Sequence, residues 1–209
     1  MMTPLFVDLS TKRVVIFGGG DVAARKVAFF ASEADVLVVS RSFSKPITAL
    51  PVCRVEMDIS QASDAEIKHI LSGAFIAVAA LPDRKQNDRI GRICKRSNIL
   101  FNNASGEKGD IIIPSVIRKN HYRVAISTDG KSPLVSRFIR SHLETKFSHL
   151  DNMIVLQDML RKKLVAIEPS QKRRQEILSE VFNDKKIWES LGRSQEEAED
   201  IVTRRYLHG

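Results

Sequence analysis

The chain has 209 residues, 43% of them hydrophobic and 28% charged, with a formal net charge of +8. That apolar content is ordinary for a globular protein, so intrinsic disorder and dependence on disulfide or metal staples are both excluded. No apolar run approaches the roughly 18 residues that a membrane-spanning helix needs.

The first hundred residues alternate strand and helix. Residues 13–17 form a short apolar run that stops at three glycines and reads as a buried strand, and residues 22–31 carry Val22, Ala23, Val27, Phe30 and Ala31 at helical spacing. Residues 35–39 give a second buried strand, 52–57 a weaker third, and 62–71 a helix with Ala62, Ile67, Ile70 and Leu71 on one face. A fourth strand spans 75–80. Pro82-Asp83 opens a helix bearing Ile90, Ile93 and Cys94, and 99–101 is a fifth strand. Continuous apolar strands separated by helices predict a parallel sheet covered on both faces, because each right-handed crossover lays its helix on one side.

After Asn102-Asn103 the rhythm changes. Residues 111–113 and 122–127 are strand-like with no helix between them, and from Ser132-Pro133 onward the spacing predicts helices over 133–147, 150–167, 170–183 and 195–207. Pro133 suits a first helical turn, and Ser194 with Glu197 has the spacing of a capping box. The expected architecture is α/β: a Rossmann-type domain over 1–110, a small α+β segment over 111–148 and an all-helical region over 149–209.

The strongest local motif is Gly18-Gly19-Gly20-Asp21-Val22-Ala23, a G-x-G-x-x-A placed after a strand and before a helix. Gly18 permits the tight turn, Gly20 lets the backbone approach a pyrophosphate, and Ala23 lets the helix pack close to the sheet. The free amides of that helix start would bind the phosphates. The competing reading is a glycine turn with a structural role only. At the end of the second strand, where a carboxylate usually receives the adenosine ribose of NAD, stand Ser40, Arg41, Ser42 and Phe43. Arg41 either accommodates the 2′-phosphate of NADP or lies in solvent while hydroxyl and backbone groups hold the ribose.

Cys53 and Cys94 stand alone and the five histidines form no H-x-x-x-H pair, so no metal site is expected. The stretch from Met1 to Asp8 has neither a basic segment nor a long apolar one; no secretory signal is visible and a cytoplasmic location is expected. Most of the positive excess lies ahead of residue 137, since residues 137–209 are nearly balanced. Such a field favours anionic partners: nucleic acid, phosphates or a polycarboxylate. A DNA reader would concentrate charge on the terminal helices, which this chain does not.

Taken together, the motifs resemble the precorrin-2 dehydrogenase module of siroheme synthases. The resemblance starts at Pro4-Leu5-Phe6, passes through Gly18 to Lys26 (the family's G-G-G-x-V-A-x-R-K) and includes Ala79-Ala80-Leu81-Pro82-Asp83, where Leu81 and Pro82 depart from A-A-T-D-D. It continues through Ile112 to Ser115, Ala125 to Pro133 and the helix from Leu134 to Leu143. It implies oxidation of precorrin-2 to sirohydrochlorin with NAD, NADP being less favoured, in tetrapyrrole biosynthesis, by an intertwined homodimer. Some members also insert iron or cobalt. The implied cofactor residues are Gly18, Gly19, Gly20, Asp21, Val22, Ser40, Arg41, Ser42, Phe43 and Ala80, and the implied substrate residues are Ser127, Thr128, Lys131 and Arg137. Arginine forks suit the carboxylates of such a substrate, and Arg118, Lys119, Arg123 and Arg140 lie in the same stretch.

One departure stands out. Family members carry an aspartate after the fifth strand, in N-V-V-D, where this chain has Asn102-Asn103-Ala104-Ser105. Without a gap Ala104 falls on the aspartate; with one gap Ser105 does. Ser105 and the nearby Asp110 are the catalytic candidates, and metal insertion is expected to be weak. A non-catalytic NAD(H) sensor is the alternative from a different class.

Overall fold

The computed structural model describes residues 2–207 and divides into two compact units, Met1–Ile113 and Pro114–Gly209.

In the first unit five strands, β1 (Arg13–Phe17), β2 (Asp35–Ser40), β3 (Cys53–Glu56), β4 (Ala74–Ala79) and β5 (Leu100–Asn103), form one parallel sheet in the order β3-β2-β1-β4-β5. The helices between them are α1 (Asp21–Phe30), the short α2 (Lys45–Thr48), α3 (Asp64–Ile70) and α4 (Arg84–Arg96). Each face of the sheet carries its own core. Val14, Ile16, Val36, Val38, Ile76 and Val78 pack with α1 on one side, while Val15, Phe17, Val39, Ala77 and Ala79 pack with α3 and α4 on the other. That division follows from the pleat, which sends alternate side chains of a strand to opposite faces. Val22 leaves the expected buried stripe of α1: it is exposed, and Ala24 takes its place in the core.

The second unit opens with an antiparallel hairpin of β6 (Ser115–Arg118) and β7 (Arg123–Ile126), in register from Ser115↔Ile126 to Arg118↔Arg123. Helices α5 (Pro133–Lys146), α6 (Leu150–Ile167), α7 (Gln171–Asn183), α8 (Lys185–Leu191) and α9 (Gln195–Val202) follow, closed by a π-helical turn over Thr203–Leu207. Met153, Leu156, Leu160 and Leu164 of α6 form the centre of a separate helical core with Ile177, Val181, Ile187, Leu191, Ala198 and Val202.

Three local expectations change. Ile111–Ile113 is not a strand. Ile111 and Ile113 pack against the sheet core, and the chain only begins to pair after Pro114, whose missing N–H suits the position just before a ladder. Helices α2 and α8 were not anticipated; α8 is initiated by Asp184, whose carboxylate accepts from the amide of Lys186 at 2.8 Å. The capping box at Ser194 forms by half: Ser194 Oγ accepts from the amide of Glu197, but the Glu197 carboxylate is taken by Arg193, and Glu196 receives the Ser194 hydroxyl instead.

Candidate functional site

The carboxyl ends of the parallel strands extend the ladder one residue further. The amide of Gly18 donates to Val39 (2.9 Å), Ala80 to Phe17 (2.8 Å), Ala104 to Ala79 (2.9 Å) and Met57 to Ser40 (3.0 Å). Beyond them opens a cleft of about 950 Å³. The strand order reverses between β1 and β4, and the crevice outside the strand ends at such a switch point is where open α/β sheets bind ligands.

The glycine turn forms one wall. Gly18 has φ +126°, which a side chain would strain, and a Cβ there would lie 2.5 Å from the carbonyl oxygen of Ala80. Gly19 is a close approach that the motif alone did not assign. A Cβ on it would sit 1.8 Å from the carbonyl oxygen of Ser42, and the amide of Ser44 donates to Gly19 O at 2.8 Å. Gly20 caps α1 without a side chain, and a Cβ on it would meet nothing within 4 Å, so the space above the helix start is open. Ala23 is fully buried beneath the turn. A helix start with free amides facing an open cradle fits a pyrophosphate.

Every residue proposed for the cofactor, Gly18, Gly19, Gly20, Asp21, Val22, Ser40, Arg41, Ser42, Phe43 and Ala80, lines this cleft. Ser105 also lines it. Its hydroxyl oxygen accepts from Asn87 Nδ2 at 3.0 Å, which leaves the hydroxyl proton free to donate. Asn87 was not anticipated. Fully buried on α4, it accepts from the amide of Leu81 (3.0 Å) and donates to the carbonyls of Leu81 (3.0 Å) and Ser105 (3.2 Å), tying together the loops after β4 and β5. The signal in the sequence was an amide three and seven residues ahead of Ile90 and Cys94, on their buried stripe.

The structure does not bring Asp110 to the cleft. Its carboxylate accepts from the amide of Phe101 at 3.2 Å, and the next residue donates to Phe101 O at 3.1 Å, so the chain after the loop runs back along the free edge of β5. The Asp110 charge instead adds to burial in pushing the Cys94 thiol up to about 12, burial being the larger cause.

The substrate candidates lie in the second unit. Thr128, Asp129, Gly130 and Lys131 make a tight turn, with the amide of Lys131 donating to Thr128 O at 2.9 Å and φ of +52° and +80° at its two central residues. Thr128 Oγ1 both donates to Ser132 O (3.0 Å) and accepts from its amide (3.1 Å), Ser127 Oγ accepts from the amide of Asp129 (3.0 Å), and Ser132 caps α5. Arg123 is turned onto the carbonyls of Lys119 and Tyr122, and Arg140 pairs with Glu144 at 3.9 Å. Lys131 and Arg137 are exposed and make no ion pair among the described residues.

A family model described as NAD(P)-binding matches residues 5–115. The precorrin-2 dehydrogenase of Methanosarcina barkeri is 38% identical over 93% of this chain and 89% of its own length. The chain belongs to the precorrin-2 dehydrogenase family. The siroheme synthase of Actinobacillus succinogenes is 29% identical over 90% of this chain but only 37% of its own length, so the likeness there is to one portion of a larger protein. Among solved structures, that of SirC, a precorrin-2 dehydrogenase, matches with a TM-score of 0.73 and 25% identity, covering 97% of this chain and 100% of the other. No helix among the described residues is long and apolar enough to cross a membrane.

Proposed function

We propose that this chain oxidises precorrin-2 to sirohydrochlorin, with NAD as the hydride acceptor, and that it works as a homodimer. The observation that carries the dinucleotide part is the open cradle over Gly20, at the start of a helix and at the switch point of the sheet. Family membership carries the substrate. When bound, the nicotinamide supplies the hydride-accepting carbon.

The protein's own part is placement. The turn of Gly18 to Gly20 and the start of α1 would hold the pyrophosphate, the β2 end the adenosine, and the loops clamped by Asn87 the other half of the cofactor. Lys131 and Arg137, which make no ion pair among the described residues, are suited to the carboxylates of the tetrapyrrole. Ser105 can donate a hydrogen bond into the cleft. It has no usable charge at neutral pH, so water takes the proton released on oxidation. For the same reason metal insertion into the product is weak: Ala104 and Ser105 offer no carboxylate to guide the ion or remove pyrrole protons. The test is anaerobic incubation with precorrin-2 and NAD, following NADH and the sirohydrochlorin spectrum. Stoichiometric appearance of both is expected; NADH without sirohydrochlorin, or neither, defeats the reading.

A further inference from the structure

We propose that Asp58, at the end of β3, selects NAD over NADP by holding Arg41 and fixing a negative charge where a 2′-phosphate would lie. The inference rests on the reading of the cleft as a dinucleotide site, with the adenosine over the ends of β2 and β3.

The residues at the end of β2 would, by themselves, argue the other way. A carboxylate is missing at positions 40–42, and Arg41 is a ready phosphate fork. The structure supplies the carboxylate from the neighbouring strand. Because the amide of Met57 bonds Ser40 O, the next residue emerges beside Arg41, and Asp58 Oδ2 lies 3.8 Å from Arg41 Nη1. The other carboxylate oxygen, Oδ1, accepts from the amide (2.9 Å) and hydroxyl (2.7 Å) of Ser60, so the group is held and Oδ2 remains towards the guanidinium. The loop that follows is anchored from α4, where Arg89 donates to Ala62 O at 2.7 Å and pairs with Asp64 at 2.6 Å.

The surroundings agree. The charged residues lining the cleft are Asp21, Arg41, Asp58 and Asp83, so the one cation is already matched by an acid. A 2′-phosphate entering there would meet the Asp58 carboxylate and would have to displace it from Arg41. A ribose hydroxyl could instead donate to that carboxylate, with the hydroxyls of Ser40 and Ser42 close by. Specificity of this kind comes from a repulsive element set against the wrong ligand as much as from contacts to the right one. The Arg41 side chain is 74% exposed and that of Asp58 35%, so the pair adds little to stability and can be altered without unfolding the sheet.

The experiment is calorimetric titration of NAD and NADP into wild type, Asp58→Asn, Arg41→Ala and the double variant. In Asp58→Asn the amide oxygen still accepts from Ser60, and a thermal melt checks that the fold is kept. The expected result is a shift of the NADP-to-NAD affinity ratio of about tenfold towards NADP, from removing one nearby like charge. The double variant should keep only part of that gain, because the like charge is gone but Arg41 is absent as the phosphate partner. An unchanged ratio in a folded Asp58→Asn, or a gain undiminished by loss of Arg41, overturns the assignment and leaves the dinucleotide site standing. A wild type that binds neither cofactor overturns both.

Discussion

At the scale of single residues, three consecutive glycines do three separable jobs. Gly18 makes the turn, Gly19 lets the loop after β2 press against the backbone, and Gly20 leaves the cradle empty. Their substitutions should therefore differ in kind. In Gly20→Asp the added Cβ meets no protein atom within 4 Å and the backbone stays ordinary, so the variant should fold normally while abolishing NAD(H) binding, since its side chain and charge enter the pyrophosphate space. Gly19→Ala drives a methyl into the Ser42 carbonyl, a contact with backbone that cannot rotate away, and should lower stability by about 2–3 kcal/mol. Calorimetry and denaturant unfolding read the two effects; equal loss of binding and stability in both variants would count against the division of roles. Ser105 offers a gain-of-function check. Ser105→Asp places a carboxylate within reach of the Asn87 amide donor, and should raise cobalt insertion into sirohydrochlorin above the wild-type rate. No rise would mean that the family aspartate is not what this chain lacks.

At the scale of elements, the clamp made by Asn87 is the joint of the site. One fully buried side chain satisfies the backbone of Leu81 on one loop and of Ser105 on another. Asn87→Ala removes three hydrogen bonds to part-buried backbone groups, at about 1 kcal/mol each, so a total loss near 3 kcal/mol is expected, together with a weaker affinity for NAD; chemical denaturation and titration measure both. This joint also marks the edge of what the chain's text reveals. Strands β1, β2 and β4 were legible because they are buried on both faces and read as unbroken apolar runs. The glycine turn was legible because its chemistry is local. Asn87 and Asp58 were not, because their partners lie six, eighteen and seventeen positions away and are set by strand pairing. Strand β6 escaped for a related reason. Ile111–Ile113 has the stronger β composition, yet its side chains are used in the sheet core, and the hairpin is fixed by the pairing of Ser115–Arg118 with Arg123–Ile126. Asp110 looked chemical in sequence because it was the nearest acid; in space it finishes the edge of β5.

At the scale of the whole molecule, two units carry different unfinished business. The first has complete cores on both faces of its sheet. The second has a hairpin of two strands, each with an outer edge that no strand of the described residues pairs, and isolated pairs of this kind are marginal in water. Helix α5 adds exposed Leu134 (71%) and Phe138 (70%), one turn apart, with Val135 exposed beside them and His142 stacked on Phe138 at 6.2 Å between ring centroids. Of the apolar face Leu134, Phe138, Ile139 and Leu143, Ile139 and Leu143 are half-covered within one chain and the first two are exposed. A second copy meeting this surface would cover the stripe twice over, at roughly 1.5–3 kcal/mol for each large side chain removed from water. Light scattering at micromolar concentration should therefore give twice the chain mass. Phe138→Glu should give a single chain, because its charge would be forced into an apolar contact, yet it should leave the monomer's own core untouched, since that side chain is outside it. A wild type that runs as a monomer, or a Phe138→Glu variant that stays dimeric, would place the contact elsewhere or remove it. If dissociation also weakens precorrin-2 turnover while NAD binding is kept, the contribution of the second copy lies on the tetrapyrrole side of the reaction.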